Sequence, residues 1–124
     1  MTTRIAVLAQ DLIWQDRLAT AVESAGASPM RARTAPEFDR ALACADFAII
    51  DLTARAYDPL AAIERARSHG ARVLAVGPHD DLDLRKRALA RGAERVLAYR
   101  KLFEDGPATI ATWLERPATP AKAS

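Results

Sequence analysis

One stretch, residues 46–53, constrains the fold of this chain more than any other. Four consecutive apolar residues, from Phe47 to Ile50, stand between Asp46 and Asp51. The run is too short for a helix and has no alternating polar face, so it predicts a strand that is buried on both faces of a sheet. Open α/β sheets bind their ligands at the carboxyl ends of central parallel strands. Asp51, at the end of this run, is therefore the first candidate functional residue.

Strand-like and helix-like segments alternate along the rest of the chain. Further strands are predicted at residues 4–9, 28–33, 72–76 and 95–98. Helices are predicted to begin at polar residues that can cap them, namely Asp11, Thr34, Asp58, Asp80 with Asp81, and Asp105. This alternation predicts an α/β fold with a five-stranded, doubly wound parallel sheet in the flavodoxin-like strand order 2-1-3-4-5.

Composition and length indicate one globular domain without disulfide cross-links. The chain has 124 residues, with 18 Lys plus Arg against 16 Asp plus Glu, a balance that gives no indication of nucleic-acid binding. Its single cysteine, Cys44, excludes an intramolecular disulfide and is interpreted as a small packing residue. With no apolar run of membrane-spanning length and no signal-peptide pattern, we expect a cytoplasmic protein. Residues 1–115 are predicted to form the domain, and residues 116–124 a disordered tail or linker.

Three segments resemble the receiver domain of bacterial two-component response regulators, the CheY-like family, within residues 4 to about 115. Residues 5–11, Ile-Ala-Val-Leu-Ala-Gln-Asp, are similar to that domain's first strand and its acidic end. Residues 48–52, Ala-Ile-Ile-Asp-Leu, are similar to the strand that carries the phosphoacceptor aspartate, and residues 91–97 to a Gly-Ala turn before the fifth strand. The resemblance implies that Asp51 is the phosphoacceptor. It also implies two acids that hold Mg²⁺ after the first strand, a hydroxyl after the fourth strand and a lysine after the fifth.

Most of the chemical positions implied by the resemblance carry other residues in this chain. Ala9 and Gln10 stand where the two acids are expected, and Asp11 is the nearest carboxylate. Gly77 stands at the hydroxyl position and Tyr99 at the lysine position. The resemblance therefore implies a degenerate pseudo-receiver without enzymatic activity or a cofactor. Such a domain is expected to signal through protein contacts and independently of phosphorylation.

Two alternatives stay open for this degenerate pocket. In the first, Asp51 and Asp11 bind Mg²⁺ weakly and Asp51 is an atypical phosphoacceptor. In the second, Tyr99 closes a small-ligand pocket over Gly77, as in a flavodoxin-like ligand-binding protein. In the pseudo-receiver a buried Asp51 still requires hydrogen-bond donors, because an unpaired buried charge is costly. The candidate donors are backbone N–H groups, Tyr99, Arg100 and Lys101.

The basic segment at residues 85–101 supplies the predicted interaction face. It carries seven Lys and Arg residues against a single acid, Glu94. On the resemblance, this segment belongs to a helix 4–strand 5–helix 5 face that such domains use for docking and dimerisation. We therefore predict a protein partner or self-association through that face. The candidate contact residues are Arg87, Arg91, Arg95 and Arg100.

Overall fold

Five strands and five helices alternate along residues 2–116, the part of the chain that the computed structural model describes. The strands are β1 (Arg4–Leu8), β2 (Ser28–Ala32), β3 (Phe47–Asp51), β4 (Arg72–Gly77) and β5 (Arg95–Ala98). The helices are α1 (Leu12–Ser24), α2 (Ala35–Leu42), α3 (Pro59–Ser68), α4 (Leu82–Arg91) and α5 (Tyr99–Glu115). The predicted alternation is confirmed, and the predicted tail lies outside the described residues from residue 117 onward.

The sheet is parallel throughout and has the order β2-β1-β3-β4-β5, which confirms the predicted topology. Strand β3 lies at the centre, with Ile50 opposite Leu8 of β1 and Asp51 opposite Val76 of β4. The chain reverses its winding direction between β1 and β3, because β2 lies outside β1 while β4 and β5 continue beyond β3. This arrangement opens a crevice at the carboxyl ends of the two strands.

Two hydrophobic clusters cover the two faces of the sheet and explain the unbroken apolar run of β3. Ala48 and Ile50 pack into one cluster with α2 and α3 residues, whereas Ile49 packs into the other with α1 and α5 residues. All three side chains are fully buried. Alternate residues of a strand point to opposite faces, so a strand covered by helices on both sides needs apolar residues at every position.

Side-chain caps position four of the helix starts, as the sequence predicts. The carboxylates of Asp11, Asp58 and Asp81 each accept backbone N–H groups from the first turn of the following helix. Thr34 does the same for α2 through its hydroxyl. These bonds satisfy N–H groups that have no partner within the helix, so they fix where each loop ends.

The last helix begins earlier than the sequence predicts. It starts at Tyr99, directly after β5, and not at Asp105. Asp105 is instead a kink inside α5, with φ −148° and ψ 29°, shortly before Pro107. The first segment is helical because Leu102 is buried against the core. Pairs four residues apart, such as Arg100 with Glu104, add to its stability.

The interpretation of Cys44 as a packing residue is wrong. Its side chain is exposed, because α2 ends at Leu42 and Cys44 lies in the turn that follows. Among the helices in residues 2–116, none combines the length and the apolar character that crossing a bilayer requires.

An ion pair at the amino-terminal edge of the sheet ties the end of α5 to β4 and β5. Arg72 Nε and Nη2 donate to the two carboxylate oxygens of Glu94, each at 2.8 Å, and both side chains are only 15% exposed. Arg72 Nη1 donates to the Arg116 carbonyl at 2.7 Å, and Trp113 Nε1 donates to Glu94 at 3.3 Å. The hydrogen bonds from Arg72 hold the pKa of the Glu94 carboxyl below its ordinary value.

We predict that Arg72→Met lowers the free energy of unfolding by about 3 kcal/mol, because it leaves a largely buried carboxylate without its partner. Arg65 is a matched control, since it also contacts its carboxylate partner, Asp39, with two nitrogens, at 2.8 and 3.0 Å. That pair is 58% and 41% exposed, so Arg65→Met should change stability little. Urea unfolding of both variants measures the difference. Equal losses would contradict the role assigned to burial.

Candidate functional site

The candidate site lies where β1 and β3 end, in the crevice that the strand order creates. Asp51 is the last residue of β3 and is 1% exposed. Its carboxylate lies beneath the loops after β1 and β3, which carry Gln10 and Thr53, and beneath Tyr99, the first residue of α5. The central strand thus places a carboxylate where the sequence predicts one, with little access to water.

Three donors converge on one oxygen of Asp51. The Thr53 backbone N–H and the Thr53 hydroxyl lie 3.0 Å from Oδ1, and the Tyr99 hydroxyl donates to the same oxygen at 2.5 Å. The hydroxyls of Thr53 and Tyr99 also contact each other. Of the predicted candidates, a backbone N–H group and Tyr99 are therefore partners of Asp51, whereas Arg100 and Lys101 pair with carboxylates of their own helix.

Burial and hydrogen bonding act in opposite directions on this carboxylate. Burial raises the pKa of the Asp51 carboxyl above its ordinary value of 3.8, and the hydrogen bonds from Tyr99 and Thr53 only partly oppose that rise. Burial, together with the hydrogen bond to Asp51, raises the pKa of the Tyr99 phenol well above its ordinary value. Tyr99 is consequently a neutral donor across the physiological range.

Gln10 connects two of the loops around the site. Its Oε1 accepts from the backbone N–H groups of Arg55 at 2.8 Å and Ala56 at 3.0 Å, in the loop after β3. Tyr57, in the same loop, donates to the carbonyl of Asp51 at 2.7 Å and contacts the carbonyl of Leu8 at 3.3 Å. The β3–α3 loop is therefore held by direct hydrogen bonds from the first and third strand ends.

Solved structures with a similar arrangement of strands and helices include response regulators. A response regulator from Thermotoga maritima has a TM-score of 0.79 at 18% identity, with 94% of this chain and 100% of that chain covered. A two-component response regulator from Clostridium difficile gives 0.81 at 16% identity over 95% and 100%. The signal receiver domain of a DNA-binding response regulator from Colwellia psychrerythraea 34H gives 0.79 at 21% identity over 92% and 99%. This chain has the receiver fold.

The comparisons confirm the predicted resemblance at the level of the fold. No protein-family model and no curated protein matches the sequence. The roles of individual residues in this receiver fold must therefore be argued from their own contacts.

The residues of this receiver fold offer a magnesium ion fewer ligands than the resemblance implies. Ala9 has no ligating side-chain atom, and the side-chain oxygen of Gln10 accepts two backbone N–H groups. Asp11 uses Oδ1 to cap α1 at Trp14, and Asp51 Oδ1 accepts three hydrogen bonds. Magnesium is held through one or two carboxylates and several waters, and among the described residues only the Oδ2 atoms of Asp11 and Asp51 remain without a hydrogen bond at this site. Within residues 2–116, moreover, no three acidic, histidine or cysteine side chains cluster in a way that could hold a metal.

The space beside Gly77, at the end of β4, is filled by a side chain, whereas a small-ligand pocket there requires open space. Gly77 is buried, and a Cβ added there would lie 3.3 Å from Leu52 Cδ1. The Leu52 side chain therefore fills the space beside Gly77. Tyr99 directs its hydroxyl to Asp51 and Thr53, and its ring lies against Trp14 with centroids 4.4 Å apart.

The predicted basic face is partly neutralised by neighbouring acids. Arg87 lies 3.6 Å from Asp83, and Arg91 lies 3.2 Å from Glu64. Arg100 is paired with Glu104 in the same way, while Arg95 is half-buried on β5. Among the cations of α4, Arg85 and Lys86 have no ion-pair partner within the described part of the chain. Within α4, the positive charges without an ion-pair partner are therefore those of Arg85 and Lys86, and not those of the predicted contact residues Arg87 and Arg91.

Two residues at the site were not singled out from the sequence. Thr53 supplies two of the three hydrogen bonds to the Asp51 carboxylate, and the Tyr57 hydroxyl contacts the backbone carbonyls of Asp51 and Leu8. Thr53 follows Asp51 by two residues, which is the spacing of a local side-chain turn and was the available signal. Tyr57 could not be found in this way, because its contact with Leu8 depends on the pairing of β1 with β3.

We predict that Asp51→Asn is more stable than the parent protein at pH 7. Because the pKa of Asp51 is raised on folding, the carboxyl favours the folded state below pH 3.8 and loses that contribution as the pH rises through its raised pKa. Asparagine keeps an acceptor for Tyr99 and Thr53 without a buried charge. Thermal unfolding from pH 3 to 8 measures this, with Asp46→Asn, at the exposed start of the same strand, as the control. A lower midpoint for Asp51→Asn at pH 7 would contradict the prediction.

Proposed function

We propose that this chain is a pseudo-receiver, a signalling module of the two-component type that acts through protein contacts and without phosphorylation. The observation that carries the proposal is the hydrogen bond from the Tyr99 hydroxyl to Asp51 at 2.5 Å. It places a neutral phenol at the carboxylate that the family resemblance implies as the phosphoacceptor. The proposal includes no enzymatic activity and no cofactor.

The chemistry of phosphoryl transfer supports this proposal. A carboxylate that attacks a phosphoryl group must be ionised and accessible, and a metal ion normally neutralises the charge that gathers around the transferred group. Asp51 is 1% exposed, its pKa is raised by burial, and its Oδ1 is shared by three donors. The oxygens that would hold the metal are absent at Ala9 and engaged at Gln10. Each of these features opposes the reaction.

Intact mass after incubation with acetyl phosphate and Mg²⁺ tests this part of the proposal. We predict no added phosphoryl mass on the parent protein, and none on Asp51→Asn. A receiver domain with a complete set of acids, treated in parallel, shows that the reagent is active. A phosphoryl adduct that is present on the parent and lost in Asp51→Asn would make the chain an atypical phosphoacceptor and overturn the proposal.

Helix α4 offers a surface for the proposed protein contacts. Leu82 is 64% exposed and Leu89 is 41% exposed, and the two are seven residues apart on one face of the helix. Arg85 and Lys86 lie between them on the same face. An exposed apolar seam with basic neighbours suits a protein surface that combines apolar and acidic groups.

The apolar seam of α4 also suits a second copy of the same helix. Acidic residues lie at the start of α4 and basic residues towards its end, so opposite charges attract at the two ends of an antiparallel contact, while Arg85 and Lys86 at its centre repel their counterparts. The same arrangement brings Leu82 of one copy to Leu89 of the other. A two-fold contact of this kind uses one surface twice, as most homodimers do.

We predict that the double substitution Leu82→Gln with Leu89→Gln weakens self-association by at least about tenfold, because the seam is the apolar centre of the contact. Sedimentation equilibrium measures the dissociation constant. Leu12→Gln is the control, since Leu12 is 62% exposed on α1 and lies outside this surface. A parent protein that stays monomeric, or a constant unchanged by the double substitution, would contradict self-association through α4.

A further inference from the structure

We propose that a groove between α1 and α5 binds a small amphipathic carboxylate, a molecule with an apolar body and one anionic head. The groove has a volume of about 340 Å³, within the lower range of small-molecule sites. Its apolar walls come from both helices: Trp14, Leu18, Ala21, Leu102, Phe103 and Pro107. The site lies outside the α4 surface and does not depend on the function proposed above.

Helices α1 and α5 are in close contact at Gly106, and the exposed ring of Phe103 lies at the edge of the groove between them. A Cβ added to Gly106 would lie 3.3 Å from the Ala21 Cβ, so the backbones of α5 and α1 are in close approach there. The kink at Asp105 precedes this contact, and the helical segment before the kink carries Leu102 and Phe103 to the groove. Phe103 remains 67% exposed. A large ring held in water beside an apolar groove gains contact area when a ligand covers it.

One cation at the groove lacks a charged partner. The guanidinium carbon of Arg17 lies 4.6 Å from the Phe103 ring centroid and 5.6 Å from the Trp14 ring centroid. No carboxylate in residues 2–116 is within ion-pair distance of Arg17. The two rings restrict the guanidinium, so a ligand meets a donor group that is already positioned.

The other charged residue of the groove is neutralised. Asp16 lies 2.5 Å from Arg31 of β2, so the groove as a whole has one uncompensated positive charge. The remaining polar side chains are the hydroxyls of Thr20 and Ser24. A planar guanidinium matches the two oxygens of a carboxylate, whereas the walls favour hydrocarbon or an aromatic ring. The combination of one anionic head and an apolar body follows from these two requirements.

A second copy of the chain fits this groove less well than a small acid does. A two-fold contact centred here would bring two uncompensated Arg17 side chains towards each other, and like charges at an interface oppose association. The proposed occupant instead brings the missing negative charge.

Sodium octanoate is the probe for the test, with 1-octanol and sodium acetate as comparisons that keep only the chain or only the charge. We expect saturable shifts of the backbone amide signals of Arg17, Thr20 and Phe103 with octanoate. Octanol should bind about tenfold more weakly, since it cannot pair with the guanidinium, and acetate should give no saturable shift.

Arg17→Met keeps the apolar stem of the side chain and removes the charge. We expect it to weaken octanoate binding about tenfold, to the level of octanol. Arg40→Met, at an exposed arginine of α2, is the matched control and should leave binding unchanged. Equal affinity for octanoate and octanol, an unchanged affinity in Arg17→Met, or shifts that never saturate would each overturn the proposal. A dimer seen by sedimentation without added ligand would overturn it as well if Phe103→Gln dissociates that dimer and Leu82→Gln with Leu89→Gln does not.

Discussion

A carboxylate at the end of a fully buried strand imposes conditions on everything around it. Strand β3 is covered by helices on both sides, so Asp51 at its carboxyl end lies where water has little access. An ionised group in such a place needs donors close by. Thr53 and Tyr99 provide them, and the Tyr99 ring is in turn supported by Trp14 of α1. The loop after β3 and the start of α5 therefore take conformations that direct hydrogen-bond donors to one oxygen atom of Asp51.

Hydrogen bonds within the chain hold the loop after β3 at this site. Where the family resemblance implies acids around a cation, Gln10 accepts two N–H groups of the β3–α3 loop. Tyr57 adds a hydrogen bond to the Asp51 carbonyl, and burial keeps its phenol protonated by raising its pKa. Each of these contacts joins the end of a strand to the loop after β3. Direct hydrogen bonds thus connect the ends of β1 and β3 to the β3–α3 loop.

The sequence predicts this fold because its local signals agree with one another. The apolar run of β3, the capping aspartates and the alternation of strands and helices all favour the same sheet, and the observed order agrees with it. The start of α5 was missed because Tyr99–Glu104 becomes helical through the burial of Leu102, a contact between distant parts of the chain. Asp51 was identified from the end of its strand, and Tyr99 from the lysine position that the family resemblance implies. Thr53 had a local signal in its spacing from Asp51, whereas Tyr57 became visible as a site residue only through the pairing of β1 with β3.

Tyr99 links the two regions of the molecule that carry the proposals. Its hydroxyl contacts Asp51, and its ring contacts Trp14, which also lines the groove between α1 and α5. Moving Tyr99 would leave Asp51 with one donor fewer and expose part of an aromatic pair, and both changes cost free energy. A residue held from both ends favours one conformation at the start of α5. A domain with this constraint is better suited to present constant surfaces to its partners than to alternate between two states, which agrees with a pseudo-receiver that signals by what it binds.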